Sequence, residues 1–308
     1  MKKHIVVIGS SNADRIMQLP HLPAVGETVT DGVYSQAWGG KGANQAVAAA
    51  RAGSDVVFLN AVGADAEGVA MTQSFAADGI DTSRIVVAPD VSSGAALVLF
   101  DGEGRNYLAV APGANYALRP EHITANAEVI QSASYVIMQM EIPVDTTLSA
   151  LAMAETAGVP VLFNFAPVRT LDVPVSHAMT GLVVNENEAT ALTGIAVTNR
   201  VTAQTAGESL LSRGPRFVIV TLGADGAFVL DADGLREHIP AFRVTPVDTT
   251  AAGDTFCGAL TVALVEGKSL ADACRFASAA SALSVTQAGA QSSVPYRAEI
   301  EAFLQSHN

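Results

Sequence analysis

The segment best suited to chemistry runs from Val247 to Phe256 (VDTTAAGDTF), where a strand-like run passes through small residues into a helical pattern. The N–H groups of Ala252, Gly253 and Asp254, with the positive end of the helix dipole, could bind phosphoryl oxygens. The carboxylate of Asp254 could also accept the proton of an attacking hydroxyl. From spacing alone, an ordinary helix-start carboxylate explains Asp254 equally well.

A second glycine-rich turn, WGGKGANQ at residues 38–45, also leads into a helical pattern. It is not a P-loop, because Lys41 is followed by Gly42 where a P-loop has a hydroxyl residue for Mg²⁺. Glycines such as Gly40 would let the main chain contact a polyol, and Lys41 and Asn44 would supply directional hydrogen bonds. A plain loop at the end of a strand is the competing interpretation.

Asn12 and Asp14 follow the first apolar run, in the stretch GSSNAD at residues 9–14. In an extended segment they point the same way, and a carboxylate beside an amide is suited to gripping vicinal hydroxyls. Open α/β sheets bind ligands at the carboxyl ends of their strands. The dinucleotide fingerprint GxGxxG is absent here, which disfavours a nicotinamide-dependent dehydrogenase.

Two further strand ends carry candidate nucleotide contacts. Asn185 and Glu188 (NENE, 185–188) form an oxygen-rich turn that suits Mg²⁺, although helix capping by the same two residues is a strong alternative. Thr221, Gly223 and Gly226 lie in a turn (TLGADG) that could follow nucleotide phosphates, which is weak evidence by itself.

The elements that must position these turns are indicated by the apolar pattern. Runs of β-branched residues alternate with alanine-rich helical stretches, which predicts an α/β fold with a mostly parallel sheet between two helical layers. The predicted strands are Ile5–Ile8, Val56–Leu59, Tyr135–Met138, Val159–Phe163, Leu182–Val184 and Phe217–Leu222. The predicted helices are Asn44–Ala52, Ala66–Asp78, Pro120–Gln131, Asp145–Ala157, Ala203–Arg213, Asp254–Glu266 and Leu270–Ser284.

We expect one domain over residues 1–308, interrupted by excursions at about 13–37 and 94–111. The second excursion is predicted to be two strands joined by Asp101-Gly102-Glu103-Gly104. A small β-sheet there could act as a lid that excludes water from phosphoryl transfer. An elaboration of the sheet edge is the alternative.

Composition excludes several classes of function. The formal charge of −13 disfavours nucleic acid and anionic membrane surfaces as partners. No apolar run reaches the roughly 20 residues of a membrane span. The two cysteines, Cys257 and Cys274, lack metal-type spacing and indicate reduced thiols in a cytoplasmic protein.

Taken in order, these motifs make the chain resemble the ribokinase (PfkB-type) family of carbohydrate kinases over nearly its full length. The segment GGKGANQAVAAARAG (39–53) is similar to the N-terminal family motif, and DTTAAGDTFCGAL (248–260) is similar to the more specific C-terminal motif. NADRI (12–16), APGAN (111–115), the Met140-Glu141 pair, NENE and AGAQSSVP (288–295) also fall in family order.

The resemblance implies ATP-dependent phosphorylation of the C5 hydroxyl of D-ribose, with Asp254 as the base. It implies an anion hole at Ala251, Ala252 and Gly253, and an ATP and Mg²⁺ site. The implied sugar ligands are Asn12, Asp14, Gly40, Lys41, Asn44 and Glu141, together with Asp254. The implied nucleotide-site residues are Asn185, Glu188, Thr221, Gly223, Gly226, Gly253 and, as an adenine contact, Ser278.

The family also implies a monovalent cation, usually K⁺, beside the anion hole. The matching positions, several acting through main-chain oxygens, are Asp248, Thr250, Ser284, Gln287, Gly289 and Ser293. Ala251 departs from the usual glycine of this motif, and we expect it to be tolerated if its φ is not positive.

Other functions stay open at this point. The acceptor could be 2-deoxyribose, a nucleoside or another small sugar, since the transfer machinery is shared. A non-catalytic sugar-binding regulatory protein on the same scaffold is the alternative from a different class.

A homodimer is expected through the lid. Its hairpin carries apolar strand faces at Ala95, Leu97, Leu99, Leu108 and Val110, and its open edges could pair with a symmetric partner.

Overall fold

The computed structural model describes residues 4–168 and 172–307 of the chain. Within these ranges eight strands form the central sheet, and six of them are parallel. Their order across the sheet is β14 (Arg236–Ile239), β13 (Ala227–Asp231), β12 (Phe217–Thr221), β11 (Gly181–Asn185), β10 (Val161–Asn164), β9 (Tyr135–Met138), β1 (His4–Ile8) and β4 (Asp55–Leu59). The antiparallel pair β13 and β14 forms one edge.

Helices cover both faces of this sheet. One layer contains α1 (Lys41–Arg51), α2 (Ala66–Ala77), α8 (Ala252–Val265), α9 (Leu270–Ser284) and α10 (Arg297–Ser306). The other contains α3 (Pro120–Ala125), α4 (Ala127–Gln131), α5 (Val144–Ala157), α6 (Glu186–Thr193) and α7 (Arg200–Leu211). The strand β1 illustrates the cause, because Ile5 and Val7 pack into one layer while Val6 and Ile8 pack into the other. The predicted three-layer α/β architecture is confirmed.

A separate four-stranded sheet lies in the described ranges at the excursions predicted to form a lid. Its order is β3 (Val33–Gly39), β2 (Asn12–Gln18), β7 (Gly94–Phe100) and β8 (Asn106–Ala111). The predicted hairpin is therefore confirmed, and it is not an edge of the central sheet. The strands β2 and β3 were not expected in the polar, glycine-rich first excursion, because they are defined by pairing with each other and with β7. A short pair, β5 (Ala61–Gly63) and β6 (Val86–Ala88), completes the strands.

Two predicted elements need correction. The single helix expected over Pro120–Gln131 is two helices, separated at Asn126, whose side-chain amide donates to the carbonyl of His122. The strand expected from Val159 begins at Val161, since Pro160 has no N–H to donate to a neighbouring strand. The other predicted strands and helices are present with small shifts at their ends.

The register of the lid hairpin separates the apolar residues that the sequence grouped together. Ala96 pairs with Asp14 and Val110, whereas Leu97 pairs with Arg15 and Ala109. Successive side chains of a strand point to opposite faces. Leu108 and Val110 therefore share the face of Asp14, and Ala95, Leu97 and Leu99 lie on the opposite face.

Candidate active site

A cavity of about 220 Å³ lies where the N-terminus of α8 meets the carboxyl ends of β10, β11 and β12. It is lined by Lys41, Asn164, Ala166, Val183, Val184, Asn185, Glu188, Thr221, Thr249, Ala251, Ala252, Gly253 and Asp254. The fold thus brings the two glycine-rich segments and two polar strand ends to one place. An open α/β sheet is expected to bind its ligand at such an edge.

The amides that open α8 form one wall of this cavity. The first N–H groups of a helix have no acceptor within the helix and carry the positive end of its dipole. The N–H of Ala252 donates to the carbonyl of Thr249 at 3.3 Å. A Cβ added to Gly253 would meet no protein atom within 4 Å, so this glycine leaves room for a ligand. The wall can hold an anion close to the backbone.

Ala251, the N-cap of α8, adopts the left-handed conformation with φ 59° and ψ 10°. Across the described ranges it is the only non-glycine residue with positive φ. We expected alanine to be tolerated here if its φ was not positive, and that condition is not met. The turn into α8 needs a left-handed residue for geometric reasons, and alanine occupies it at a conformational cost of about 1–2 kcal/mol.

Asp254 is buried in the first turn of α8 and accepts two side-chain hydrogen bonds. Its Oδ2 accepts from Nδ2 of Asn44 at 3.0 Å, and its Oδ1 accepts from Nε2 of Gln45 at 2.8 Å. Burial raises the pKa of Asp254, and this outweighs the lowering effects of Lys41 and the two amides. A buried carboxylate with a raised pKa is a stronger base than a solvated one.

Lys41 stands at the start of α1 and faces the same cavity. The pKa of its ammonium group is raised, chiefly by the charge of Asp254 and further by Glu141 and Glu188. The ammonium group of Lys41 therefore remains protonated at neutral pH among these three carboxylates. Such a cation can balance the negative charge of both the carboxylates and a transferring phosphoryl group.

Glu141 accepts a hydrogen bond at the start of α1. One carboxylate oxygen, Oε2, accepts from the hydroxyl of Ser10 at 2.5 Å and from the N–H of Lys41 at 3.0 Å. Gly40, the N-cap of α1, has φ 88° and supplies no side chain for capping. Glu141 therefore takes the place of a capping side chain at the start of α1, and it uses one of its two carboxylate oxygens to do so.

Asn12 and Asp14 approach from β2 of the lid sheet. The Oδ1 of Asn12 accepts from Nδ2 of Asn115 at 2.9 Å, which turns its own amide N–H groups away from Asn115. In the described residues Asp14 has a buried Oδ1 without a hydrogen-bond partner. Burial and then the charge of Glu141 raise the pKa of Asp14 to about 7. A carboxylate left in this state is ready to accept hydroxyl donors.

The residues predicted to contact ATP and Mg²⁺ do not all line the cavity. Asn185 and Glu188 form a capping box at the start of α6, with reciprocal bonds of 2.8 and 2.9 Å, and both also line the cavity. Thr221 lines the cavity and donates to the carbonyl of Val184 at 3.3 Å. Gly223 and Gly226 lie in the turn after β12 with positive φ, outside the cavity lining.

The segment matched to a cation site lies beside the start of α8. Asp248 accepts from the N–H of Thr250 through Oδ1 and from the N–H of Gly289 through Oδ2, both at 2.9 Å. Burial raises the pKa of Asp248, but hydrogen bonds from the side chain of Thr250 and from these two N–H groups lower it overall, so the carboxylate is charged. The bond to Gly289 and the bonds from the N–H groups of Val247 and Asp248 to the carbonyl of Val285 hold the segment after α9 next to this turn.

Ser278 stays a prediction, and the structure adds three polar residues to the site. Ser278 is buried on α9 and does not line the cavity. The structure adds Gln45 and Gln139, which form a hydrogen-bonded chain to Asp254, and Asn164, at the end of β10. Polar residues immediately after a buried strand, or next to a motif residue, are the signals that could have identified them.

Comparison with known proteins identifies relatives over nearly the whole chain. The family model described as pfkB family carbohydrate kinase matches residues 2–297. A ribokinase of Haemophilus influenzae is 40% identical over 305 residues, covering 99% of both chains. A deoxyribokinase of Salmonella typhi is 35% identical over 301 residues, covering 97% of this chain and 98% of the relative.

Solved structures extend the match to the fold. The Arabidopsis thaliana ribokinase complexed with ribose and ATP superposes with a TM-score of 0.93 at 30% identity, covering 99% of each chain. A ribokinase from Thermotoga maritima superposes with a TM-score of 0.89 at 35% identity, covering 98% of this chain and 99% of the other. The family match over nearly the whole length and the relatives above 30% identity lead to one conclusion: the chain belongs to the pfkB family of carbohydrate kinases.

Proposed function

We propose that this chain transfers the γ-phosphate of ATP to the C5 hydroxyl of D-ribose. One observation carries the proposal: Asp254 is buried at the N-terminus of α8 in the cavity that also contains Lys41 and the opening amides of that helix. A base and an anion site are thus adjacent. Phosphoryl transfer needs little more than positioning and charge stabilisation at such a place.

In this proposal Asp254 accepts the proton of the sugar hydroxyl while the hydroxyl oxygen attacks the γ-phosphorus. The N–H group of Gly253 and the ammonium group of Lys41 stabilise the charge on the transferring oxygens. The N–H of Ala252 joins them by exchanging its 3.3 Å bond to the carbonyl of Thr249 for one to a phosphoryl oxygen. Burial of Asp254 raises its pKa, which strengthens it as an acceptor. The bond from phosphorus to the leaving oxygen of ADP breaks as the new bond forms.

The sugar would lie between the lid sheet and the start of α1. Asp14 has an unpaired buried oxygen, and Asn12 has its amide oriented by Asn115, so both can bind sugar hydroxyls. Gly40, Asn44 and Glu141 complete the proposed sugar site. We assign the small sheet as a lid that covers the sugar and excludes water.

ATP would extend from the α8 amides along the strand ends of β11 and β12. We place Thr221, Gly223 and Gly226 along its phosphates and Ser278 toward the adenine. Asn185 and Glu188 would hold Mg²⁺ through water, which fits an ion that keeps several waters and takes oxygen ligands. Only one oxygen of Glu188 is used in the capping box.

We further propose that a monovalent cation binds between residues 248–250 and 284–293. The donor set there is carboxylate, hydroxyl and main-chain oxygen, which is the chemistry of alkali cations. Asp248, Thr250, Ser284, Gln287, Gly289 and Ser293 would hold it. When bound, it supplies a fixed positive charge beside the anion site.

A kinase of 2-deoxyribose is the second candidate, because a deoxyribokinase is 35% identical to this chain over nearly its full length. A coupled ADP-release assay with ribose, 2-deoxyribose and nucleosides, each with and without K⁺, separates the candidates. We expect the highest kcat/KM with ribose and stimulation by K⁺. Higher kcat/KM with 2-deoxyribose would favour the second candidate. Sugar binding by calorimetry without any ADP release would indicate the non-catalytic alternative.

We also propose that the chain forms a homodimer through the lid and works in the cytoplasm. The exposed apolar side chains of the lid hairpin support the dimer.

Cys257 and Cys274 are both buried free thiols, which agrees with a reducing compartment. No helix in the described residues is long and apolar enough to cross a membrane.

A further inference from the structure

Two buried glutamines form a hydrogen-bonded chain that ends on Asp254. Nε2 of Gln139 donates to Oε1 of Gln45 at 2.7 Å, and Nε2 of Gln45 donates to Oδ1 of Asp254 at 2.8 Å. Both glutamines have 0% exposure. Gln139 follows β9, Gln45 lies on α1 and Asp254 lies on α8, so the chain connects the sheet to two helices.

The direction of these bonds restricts what Gln45 can present to Asp254. A glutamine side chain has one donating and one accepting end. Because Gln139 occupies the accepting end of Gln45, the donating end must face the carboxylate. If Asp254 took up a proton, a free Gln45 could turn and accept a hydrogen bond from the new hydroxyl. Gln139 opposes that rotation, because turning Gln45 alone would place two amide donors against each other.

Stability alone does not account for Gln139. In the described residues its Oε1 is buried and has no hydrogen-bond partner, which costs stability. A Cβ at Gly9 would lie 2.1 Å from this oxygen, so the backbone at Gly9 is kept clear for it. The side chain of Gln139 makes its one hydrogen bond to Gln45 although its burial costs stability. Its effect on the orientation of Gln45 best explains its presence.

We propose that Gln45 and Gln139 are positioning residues for the base, which hold a donor against Asp254 and so favour its ionised form. Gln45 acts directly on the carboxylate, and Gln139 acts through Gln45. Both residues are fully buried, and neither is among the residues that we place in contact with sugar or nucleotide. The inference rests on the proposed role of Asp254 as the base of the kinase.

Other charged and titratable groups face Asp254 from the elements packed around it. They are Lys41 on α1, Glu141 after β9, Glu188 on α6 and Cys257 on α8 itself. Lys41 lowers the pKa of Asp254, and Glu141 raises it. Because these groups are unchanged when a glutamine is replaced, a change in the titration of Asp254 reports on the glutamine.

The test compares Gln45→Met, Gln139→Met and the double variant, with methionine chosen because it is similar in size and cannot donate. The Asp254 carboxyl is titrated by NMR in unliganded protein with ¹³C-labelled aspartate, its signal being identified by its loss in Asp254→Asn. We expect Gln45→Met to raise the pKa by about one unit. Gln139→Met should raise it less, and the double variant should match Gln45→Met. On the acidic limb, kcat/KM for ribose should fall about tenfold with Gln45→Met.

Thr261→Val is the matched control, because it removes a buried hydrogen bond on α8 that goes to Cys257 rather than to Asp254. It should leave the titration and the pH profile unchanged. An unchanged pKa of Asp254 in Gln45→Met overturns the proposal, and a double variant whose shift is the sum of the single shifts overturns the relay from Gln139. The NMR titration needs no turnover, so it decides the inference even if the wild-type protein does not phosphorylate ribose, which would instead refute the proposed function.

Discussion

Asp254 combines burial with a small set of fixed partners. It is 5% exposed, it accepts from Asn44 and Gln45, and Lys41 provides a compensating charge. These donors engage both oxygens, so the hydroxyl of a sugar would approach a remaining lone pair. The arrangement fits a base that is ionised but less solvated than a surface carboxylate.

The most direct test at the residue scale is Asp254→Asn. The amide keeps the shape of the side chain but cannot accept the proton, so ribose phosphorylation should fall by about three orders of magnitude or more. Ribose binding, measured by calorimetry, should persist. Turnover within about tenfold of the wild type would remove Asp254 from the role of base.

In the proposed sugar site, Asp14 should make the affinity for the sugar depend on pH. Its pKa is raised to about 7, and sugar hydroxyls donate to the ionised form, so ribose should bind more tightly as the pH rises from 6 to 8. Below the pKa the affinity should fall by up to about tenfold per pH unit. Calorimetry at several pH values provides the measurement. The same pH dependence in Asp14→Asn would assign the effect to another group.

The same group affects stability in the opposite sense. The pKa of Asp14 is higher in the folded protein than the unfolded value of 3.8. Its contribution to the free energy of unfolding is therefore fully present below about pH 4 and is lost as the pH rises through about 7. The unliganded protein is therefore destabilised by ionised Asp14 at pH 8. Asp14→Asn should raise the Tm at pH 8, and ribose should no longer raise it further.

Ala251 carries a conformational cost that glycine would not. Replacing it by glycine relieves the left-handed strain, partly offset by greater freedom of the unfolded chain. Ala251→Gly should increase the free energy of unfolding in urea by about 0.5–1 kcal/mol. Ala252→Gly, at the first helical position, is the control and should decrease it. A loss of stability with Ala251→Gly would contradict the assigned backbone conformation.

At the scale of elements, the contact between α1 and α8 controls the geometry around Asp254. Gly258 lies one turn after Asp254, and a Cβ there would meet Cβ of Ala48 at 2.5 Å and the carbonyl oxygen of Gln45 at 2.7 Å. Glycine thus allows the two helices to approach until Asn44 and Gln45 reach the carboxylate.

Gly258→Ala should therefore separate the helices and lengthen both hydrogen bonds to Asp254. We expect a loss of about 1–3 kcal/mol in unfolding free energy together with a fall in kcat of about tenfold. Gly207→Ala is the matched control, since its Cβ would meet Leu230 on the far side of the sheet and should reduce stability without reducing kcat. If both variants had the same kcat, the contact between α1 and α8 would not control catalysis.

At the scale of the whole molecule, the lid sheet exposes apolar side chains on both of its faces. Leu108 and Val110, on the face of Asp14, are 61% and 46% exposed, and Leu97, on the other face, is 46% exposed. A symmetric partner can cover one face of this sheet, and the face that bears Asp14 is continuous with the proposed sugar site.

We expect a dimer of about twice the chain mass of 31.6 kDa in light scattering. Leu108→Glu should shift it toward the monomer, since a charge would be buried in the interface. Leu97→Glu, on the opposite face, should leave the mass unchanged. A monomer at tens of micromolar wild-type protein would contradict the dimer, and dissociation by Leu97→Glu alone would place the interface on the other face.

Much of the fold was predictable because its signals are local. The alternation of buried strands and helices, the hairpin over residues 94–111 and the passage from small residues into α8 depend on neighbouring residues. Even Asp254 could be placed in the first turn of a helix from its immediate sequence. These features follow from side-chain period and turn chemistry, which act within a few residues.

The remaining features depend on contacts between distant parts of the chain. The bonds from Gln139 to Gln45 and from Gln45 to Asp254 join residues 94 and 209 positions apart. The strands β2 and β3 exist through pairing, and the separation of Leu97 from Leu108 follows from register. The sequence by itself determined the alternating strands and helices of the central layers and which residue types reach the strand ends. Only the tertiary structure decided which donors meet Asp254 and which residue takes the left-handed turn, because packing and not local preference sets those geometries.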